Sequence, residues 1–149
     1  MKINECIEDQ VKLISESDEH YRKYFDSFVS QLTAHANNFS FIDAPKTVND
    51  YIVSLTVLGK ALTVRLEAIK VKGFVIVGKI KGIDNQTQTV MTEFCINGFG
   101  QVLDCENDYE YVKPKSSLGN GSEDIICDVS CVALNFIWNC IEDGNYKGI

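Results

Sequence analysis

Apolar and polar residues alternate most sharply between Asp50 and Asp104, and that alternation predicts an antiparallel meander. Gly59-Lys60 reads as a two-residue turn between two alternating runs. Closing a hairpin there pairs Val57 with Leu62, Leu55 with Val64, Val53 with Leu66 and Tyr51 with Ala68, so one face is wholly apolar. A slip of one residue would turn that set toward water. Val71-Lys72-Gly73, taken as a three-residue loop, pairs Ala68 with Ile76, Leu66 with Gly78 and Val64 with Ile80. Gly78 then marks a place where something bulky presses on the sheet. A fourth strand follows over 88–97, and Asn97-Gly98 turns the chain into a short fifth strand over 101–104.

On either side of the meander the period changes to that of a helix. Residues 4–16 place Ile7, Val11 and Ile14 on one stripe, with Asn4 as a cap. Ser15 to Asp18 reads as a break before a second helix running to about Asn37, although one kinked rod would also satisfy the pattern. The second stripe is Tyr21, Tyr24, Phe25, Phe28, Val29, Leu32 and Ala36, a core-packing pattern. Residues 39–45 are a connector, in which Pro45 excludes helix. Near the other end, Ser122 caps a helix extending to about Glu142, with Gly144 as its stop. One side of it carries Ile125, Ile126, Val129, Val132, Ala133, Phe136, Ile137 and Cys140. Roughly opposite lie Cys127, Cys131, Leu134 and Trp138. A helix apolar on two sides needs two covers. The aromatic stripe of the second helix is the expected second cover, and an oligomer surface through Trp138 is the alternative.

These elements predict an α+β fold: a five-stranded antiparallel meander with N-terminal helices and a C-terminal helix packed on one face. At 149 residues the chain is expected to be a single domain, 1–149. The outer face of the hairpins gathers Ile69, Val71, Val75 and Val77 beside Lys70, Lys72, Lys79 and Lys81. That composition implies either a further covering layer or a binding surface.

Charge narrows the partners. The net charge is -7, and acidity dominates both ends, while residues 46–81 carry seven positive and two negative side chains. Such a chain repels phosphates and suits a basic protein. The start lacks a secretory apolar run and no stretch is long enough to span a bilayer, so a cytoplasmic location is expected. Six cysteines, Cys6, Cys95, Cys105, Cys127, Cys131 and Cys140, include no Cys-x-x-Cys pair and are expected to be reduced. Cys127 and Cys131 stand one helical turn apart, but two ligands do not close a metal site.

No catalytic motif stands out. His20 and His35 are too far apart to meet on one helix, the glycines around Phe99 lack phosphate-loop spacing, and Glu93 and Asp84 belong to no recognisable set. Neither an enzymatic activity nor a cofactor is expected. The longest irregular stretch, 104–124, alternates Asp104, Glu106, Asp108 and Glu110 with Cys105, Asn107, Tyr109 and Tyr111. It suits a solvated acidic loop, or a protein interface in which tyrosines anchor and carboxylates orient. Clustered carboxylates can also hold a hard cation such as calcium, and this third alternative ranks last because the EF-hand order of ligands with its central glycine is absent. The candidate partner-binding residues are therefore Asp104, Glu106, Asp108, Tyr109, Glu110 and Tyr111.

In size, acidity and mixture of elements the whole chain resembles the small acidic immunity proteins of bacterial contact-dependent growth inhibition and related toxin systems. The resemblance implies a protein that binds a toxin domain, often a nuclease, and blocks it. It also resembles type III secretion chaperones, α+β dimers that hold an effector segment. Those usually carry a helix between the third and fourth strands, which this pattern lacks.

Overall fold

The computed structural model describes the backbone of residues 2–70, 76–98, 101–103 and 129–141, and side chains from residue 7 onward within those spans apart from Lys70. It confirms the α+β architecture, with one difference in strand number. Helix α1 (Lys2–Asn38) is followed by β1 (Ile42–Asn49), β2 (Ile52–Val57), β3 (Lys60–Lys70), β4 (Ile76–Asp84), β5 (Val90–Ile96), β6 (Val102–Leu103) and helix α2 (Val129–Asn139). The strands form one antiparallel meander in the order β1-β2-β3-β4-β5-β6.

The extra strand is β1, which occupies the expected connector. Pro45 lies within it, and a proline breaks a ladder because it has no N–H. β1 tolerates it because it is an edge strand whose register shifts between Asp43 and Lys46. A second shift follows between Thr47 and Asn49, and irregularity of this kind blunts an edge against unwanted pairing.

The expected break at Ser15–Asp18 is absent, and α1 is one helix of 37 residues, about 55 Å long at 1.5 Å per residue. Serine and aspartate inside a helix cost only some tenths of a kcal/mol each. Asp18 is held where the helix meets the sheet by the Tyr51 hydroxyl, which donates to its carboxylate at 2.9 Å.

Both hairpin registers differ from expectation by two residues. Val57 pairs with Lys60, Leu55 with Leu62 and Val53 with Val64. The turn is therefore Leu58-Gly59, not Gly59-Lys60, with φ of +50° and +75°, the left-handed pair that a tight primed turn requires. Likewise Ala68 pairs with Gly78 and Leu66 with Ile80. A shift of two preserves the alternation, so Val53, Leu55, Val57, Leu62, Val64, Leu66 and Ile80 are all buried on one face.

Two helices roof that face, and two glycines of β4 seat them. A Cβ on Gly78 would lie 2.9 Å from Cγ of Tyr21 on α1, and one on Gly82 would lie 2.8 Å from Cζ of Phe136 on α2. The expected close approach at Gly78 is thus the Tyr21 ring, whose hydroxyl donates to the Ile76 carbonyl. Phe28, Phe94 and Phe136 interlock above the sheet with centroids 5.1–6.1 Å apart, two of the three pairs edge to face.

The opposite face is polar with one small apolar patch. Lys81 Nζ lies 3.0 Å from Glu67 and Lys79 Nζ lies 3.5 Å from Glu93. Val77, Cys95 and Leu103 are buried together with Ile69 beside them. Cys95 is disulfide-bonded, which corrects the expectation of six reduced thiols. The cysteine it bonds lies outside the described side chains, while Cys131 and Cys140 are free.

Candidate functional site

The feature of the described surface that most resembles a binding site is the outer side of α2. Val132, Ala133, Phe136 and Ile137 fall on one side of this helix and are buried. A period of 3.6 residues places Leu134 and Trp138, four apart, on the other. Leu134 is 43% exposed and Trp138 63% exposed. The expected second cover is therefore missing: α1 does not lie over this ridge. The physical reason is that α1 packs beside α2 on the same sheet face. His35 Nε2 lies 2.9 Å from the Ser130 carbonyl oxygen at one end of the contact, and Phe28 meets Phe136 further along. The aromatic stripe of α1 is spent on the sheet and on the flank of α2, so none remains for the top.

The ridge is uncharged. Within Val129–Asn139 no residue is acidic or basic, and the polar positions beside the ridge are amides, Asn135 and Asn139. Those amides, with Thr92, Phe94 and Val102, line a groove of about 140 Å³ between α2 and β5. That is too small for a typical substrate. An exposed tryptophan with an apolar neighbour, flanked by amides and a shallow groove, has the composition of an interface anchor.

The candidate partner-binding residues Asp104, Glu106, Asp108, Tyr109, Glu110 and Tyr111 lie outside the described residues. Asp104 follows directly on Leu103, the last residue of β6. β6 borders β5, and Val102 itself lines the groove.

The residues considered for chemistry are held apart by their own partners. Asp84, only 5% exposed, accepts the N–H of Gln86 at 2.8 Å and faces the Lys60 ammonium at 3.9 Å. The first closes the β4–β5 turn, and the second ties that turn to the start of β3. Glu93 pairs with Lys79, His35 ties α1 to α2, and His20 is exposed. A hollow of about 520 Å³ lies between the turns at Gly59 and Asn85, beside Lys60 and Asp84. Burial pushes the Cys140 thiol up to about 12, against the smaller pull of the Lys60 ammonium. Cys140 is thus a protonated core thiol and a poor nucleophile.

Sequence reasoning found the Trp138 stripe but assigned it a cover. The missed signal was geometric: one aromatic stripe cannot face both a sheet and the far side of a neighbouring helix. No family model, curated protein or solved structure matches the chain.

Proposed function

We propose that the chain is a binding protein that neutralises a cognate toxin domain, a nuclease, by covering its active site. The observation that carries the reading is Trp138, 63% exposed on an uncharged ridge with Leu134. A tryptophan left in water on a rigid helix supplies the buried aromatic anchor that interfaces use. The acidic, tyrosine-bearing segment that follows β6 supplies the complementary field for a basic active site. Anchor and field are different terms: the first sets dissociation, the second sets encounter.

The secretion-chaperone alternative would bind through the apolar ribbon on the opposite face of the sheet. Its described centre, Val77, is fully buried among Cys95 and Leu103, and Lys79 and Lys81 are engaged with Glu93 and Glu67. That favours the toxin-binding reading.

The compartment follows the redox state of Cys95. A cytoplasmic immunity protein would carry it as a thiol, since a reducing cytosol does not sustain disulfides, and an exported one would keep the bond. Alkylating unreduced cell lysate and weighing the intact chain distinguishes the two.

The test of function is coexpression with the protein encoded immediately upstream. The reading expects a stable complex and protection of the host. Trp138→Ala should raise the dissociation rate about 30-fold or more, the size of a ~2 kcal/mol anchor. Reversing Asp104, Glu106, Asp108 and Glu110 should slow association and flatten its salt dependence. No complex with that protein, or a complex indifferent to both changes, contradicts the reading.

A further inference from the structure

The apolar stripe of α1 does not stop where the sheet does. Ile7, Val11, Ile14, Asp18, Tyr21, Phe25, Phe28 and Leu32 recur at alternating intervals of four and three. That is a repeat of 3.5, the spacing of a helix that packs along another helix. Tyr21, Phe25, Phe28 and Leu32 are at most 1% exposed beneath the body of the protein. Ile7, Val11 and Ile14 continue the same seam and are 54%, 58% and 46% exposed. The change comes at Asp18, where the Tyr51 hydroxyl marks the end of the body. Beyond it α1 carries its seam uncovered over Ile7, Val11 and Ile14, about two turns, on a stretch that would be a marginal helix if left alone in water.

We propose that this end of α1 pairs with the same stretch of a second copy of the chain, antiparallel and crossing at Val11. Three observations select that occupant. The seam has coiled-coil spacing, so its complement is a helix with the same spacing, which a second copy provides. The positions flanking the seam are Glu8, Gln10, Ser15 and Ser17, a rim with a single charge. Crossing at Val11 sets Glu8 near the other copy's Ser15 and Gln10 near its counterpart, so like charges do not meet. A basic partner, by contrast, would find little to pair with along this rim. Finally, the sheet lies on the seam side of α1. A parallel pair would drive the two sheets into each other, whereas an antiparallel pair leaves them at opposite ends. Ile7 of each copy then packs on Ile14 of the other, in an isologous contact.

An overlap from residue 4 to residue 18 is about 21 Å long, near the ~1,000 Å² lower limit of specific interfaces. The dimer is accordingly reversible and depends on concentration.

Sedimentation equilibrium of the full chain, from about 1 μM to about 1 mM, tests this. The native mass should rise from 16.7 kDa toward twice that value. Val11→Glu should hold it at the monomer mass, with helical circular dichroism equal to that of the native chain at about 1 μM, where both are monomeric, because Val11 is exposed. Orientation is read from two double variants. Ile7→Glu/Ile14→Lys places opposite charges across an antiparallel pair, and Ile7→Glu/Ile14→Glu places like charges across either arrangement. The first should associate at least 10-fold more tightly than the second. A native chain monomeric throughout, a Val11→Glu chain that dimerises normally, or equal association of the two double variants overturns the proposal. So does a foreign protein, rather than a second copy, whose binding Val11→Glu abolishes.

Discussion

The two faces of the sheet are built on different terms. The inner face is specified by shape: Gly78 and Gly82 open two sockets in β4, and Tyr21 and Phe136 enter them from different helices. The outer face is specified by charge and rotamer freedom: Lys79 and Lys81 reach Glu93 and Glu67 on neighbouring strands at 3.5 and 3.0 Å, and Arg65 reaches Glu67 along β3 at 3.6 Å. Close-packed rings cannot yield without strain, whereas solvated ion pairs re-form or give way to water. Substitutions that remove core packing on the inner face should therefore cost several times as much as those that break an ion pair on the outer face.

The largest effect is expected at Phe28, which is fully buried and touches both Phe94 and Phe136. Phe28→Ala should lower stability by about 3–5 kcal/mol in urea unfolding. A loss under 1 kcal/mol would mean that the roof is not seated as described. Next is Gly82→Ala, where a methyl group meets Phe136 at 2.8 Å. Overpacking of this kind costs ~1–3 kcal/mol. Pairing it with Phe136→Leu should recover part of that loss, because the two residues share one socket. Strict additivity in this cycle would detach the glycine from the helix above it. Tyr21→Phe keeps the ring in the Gly78 socket and removes only the hydroxyl donated to Ile76. A loss of about 0.5–1.5 kcal/mol is expected, well below that of Phe28→Ala.

The smallest effect belongs to the outer face. The hydrogen bond from Lys81 holds the Glu67 carboxyl below its usual range, against a smaller opposing effect of burial. A depressed carboxyl stabilises the fold at pH above its unfolded value, near 4.5, and that contribution disappears as pH falls through the folded value. Lys81→Met should flatten the stability profile below about pH 5 while changing neutral stability by ~1 kcal/mol or less. A loss at neutral pH comparable to Gly82→Ala would erase the distinction between the faces.

The faces were legible in the sequence, and the registers were not, for one reason. Side-chain alternation has a period of two, so every pairing offset by two residues buries the same set. Leu55 opposite Leu62 and Leu55 opposite Val64 are equally apolar. The choice between them rests on whether Leu58 or Lys60 joins Gly59 in the turn, and Leu58 takes the left-handed position despite its side chain. Gly78 was legible as a close approach because it interrupts an apolar face. Gly82 occupies the same face four residues later and carried the same signal. β1 was hidden by Pro45, whose tolerance depends on an edge position that only the assembled sheet defines. The exposure of Trp138 was hidden because helical periodicity reports which residues share a side, not what lies against that side.

Trp138 is the only tryptophan in the chain, so its fluorescence reports the α2 ridge without interference. At low concentration the emission should resemble that of tryptophan in water and be quenched efficiently by acrylamide. It should shift to the blue and become shielded when the binding partner is added. Blue-shifted, quencher-resistant emission from the protein alone would mean that the ridge is already covered, and that the face assigned to recognition is part of the core.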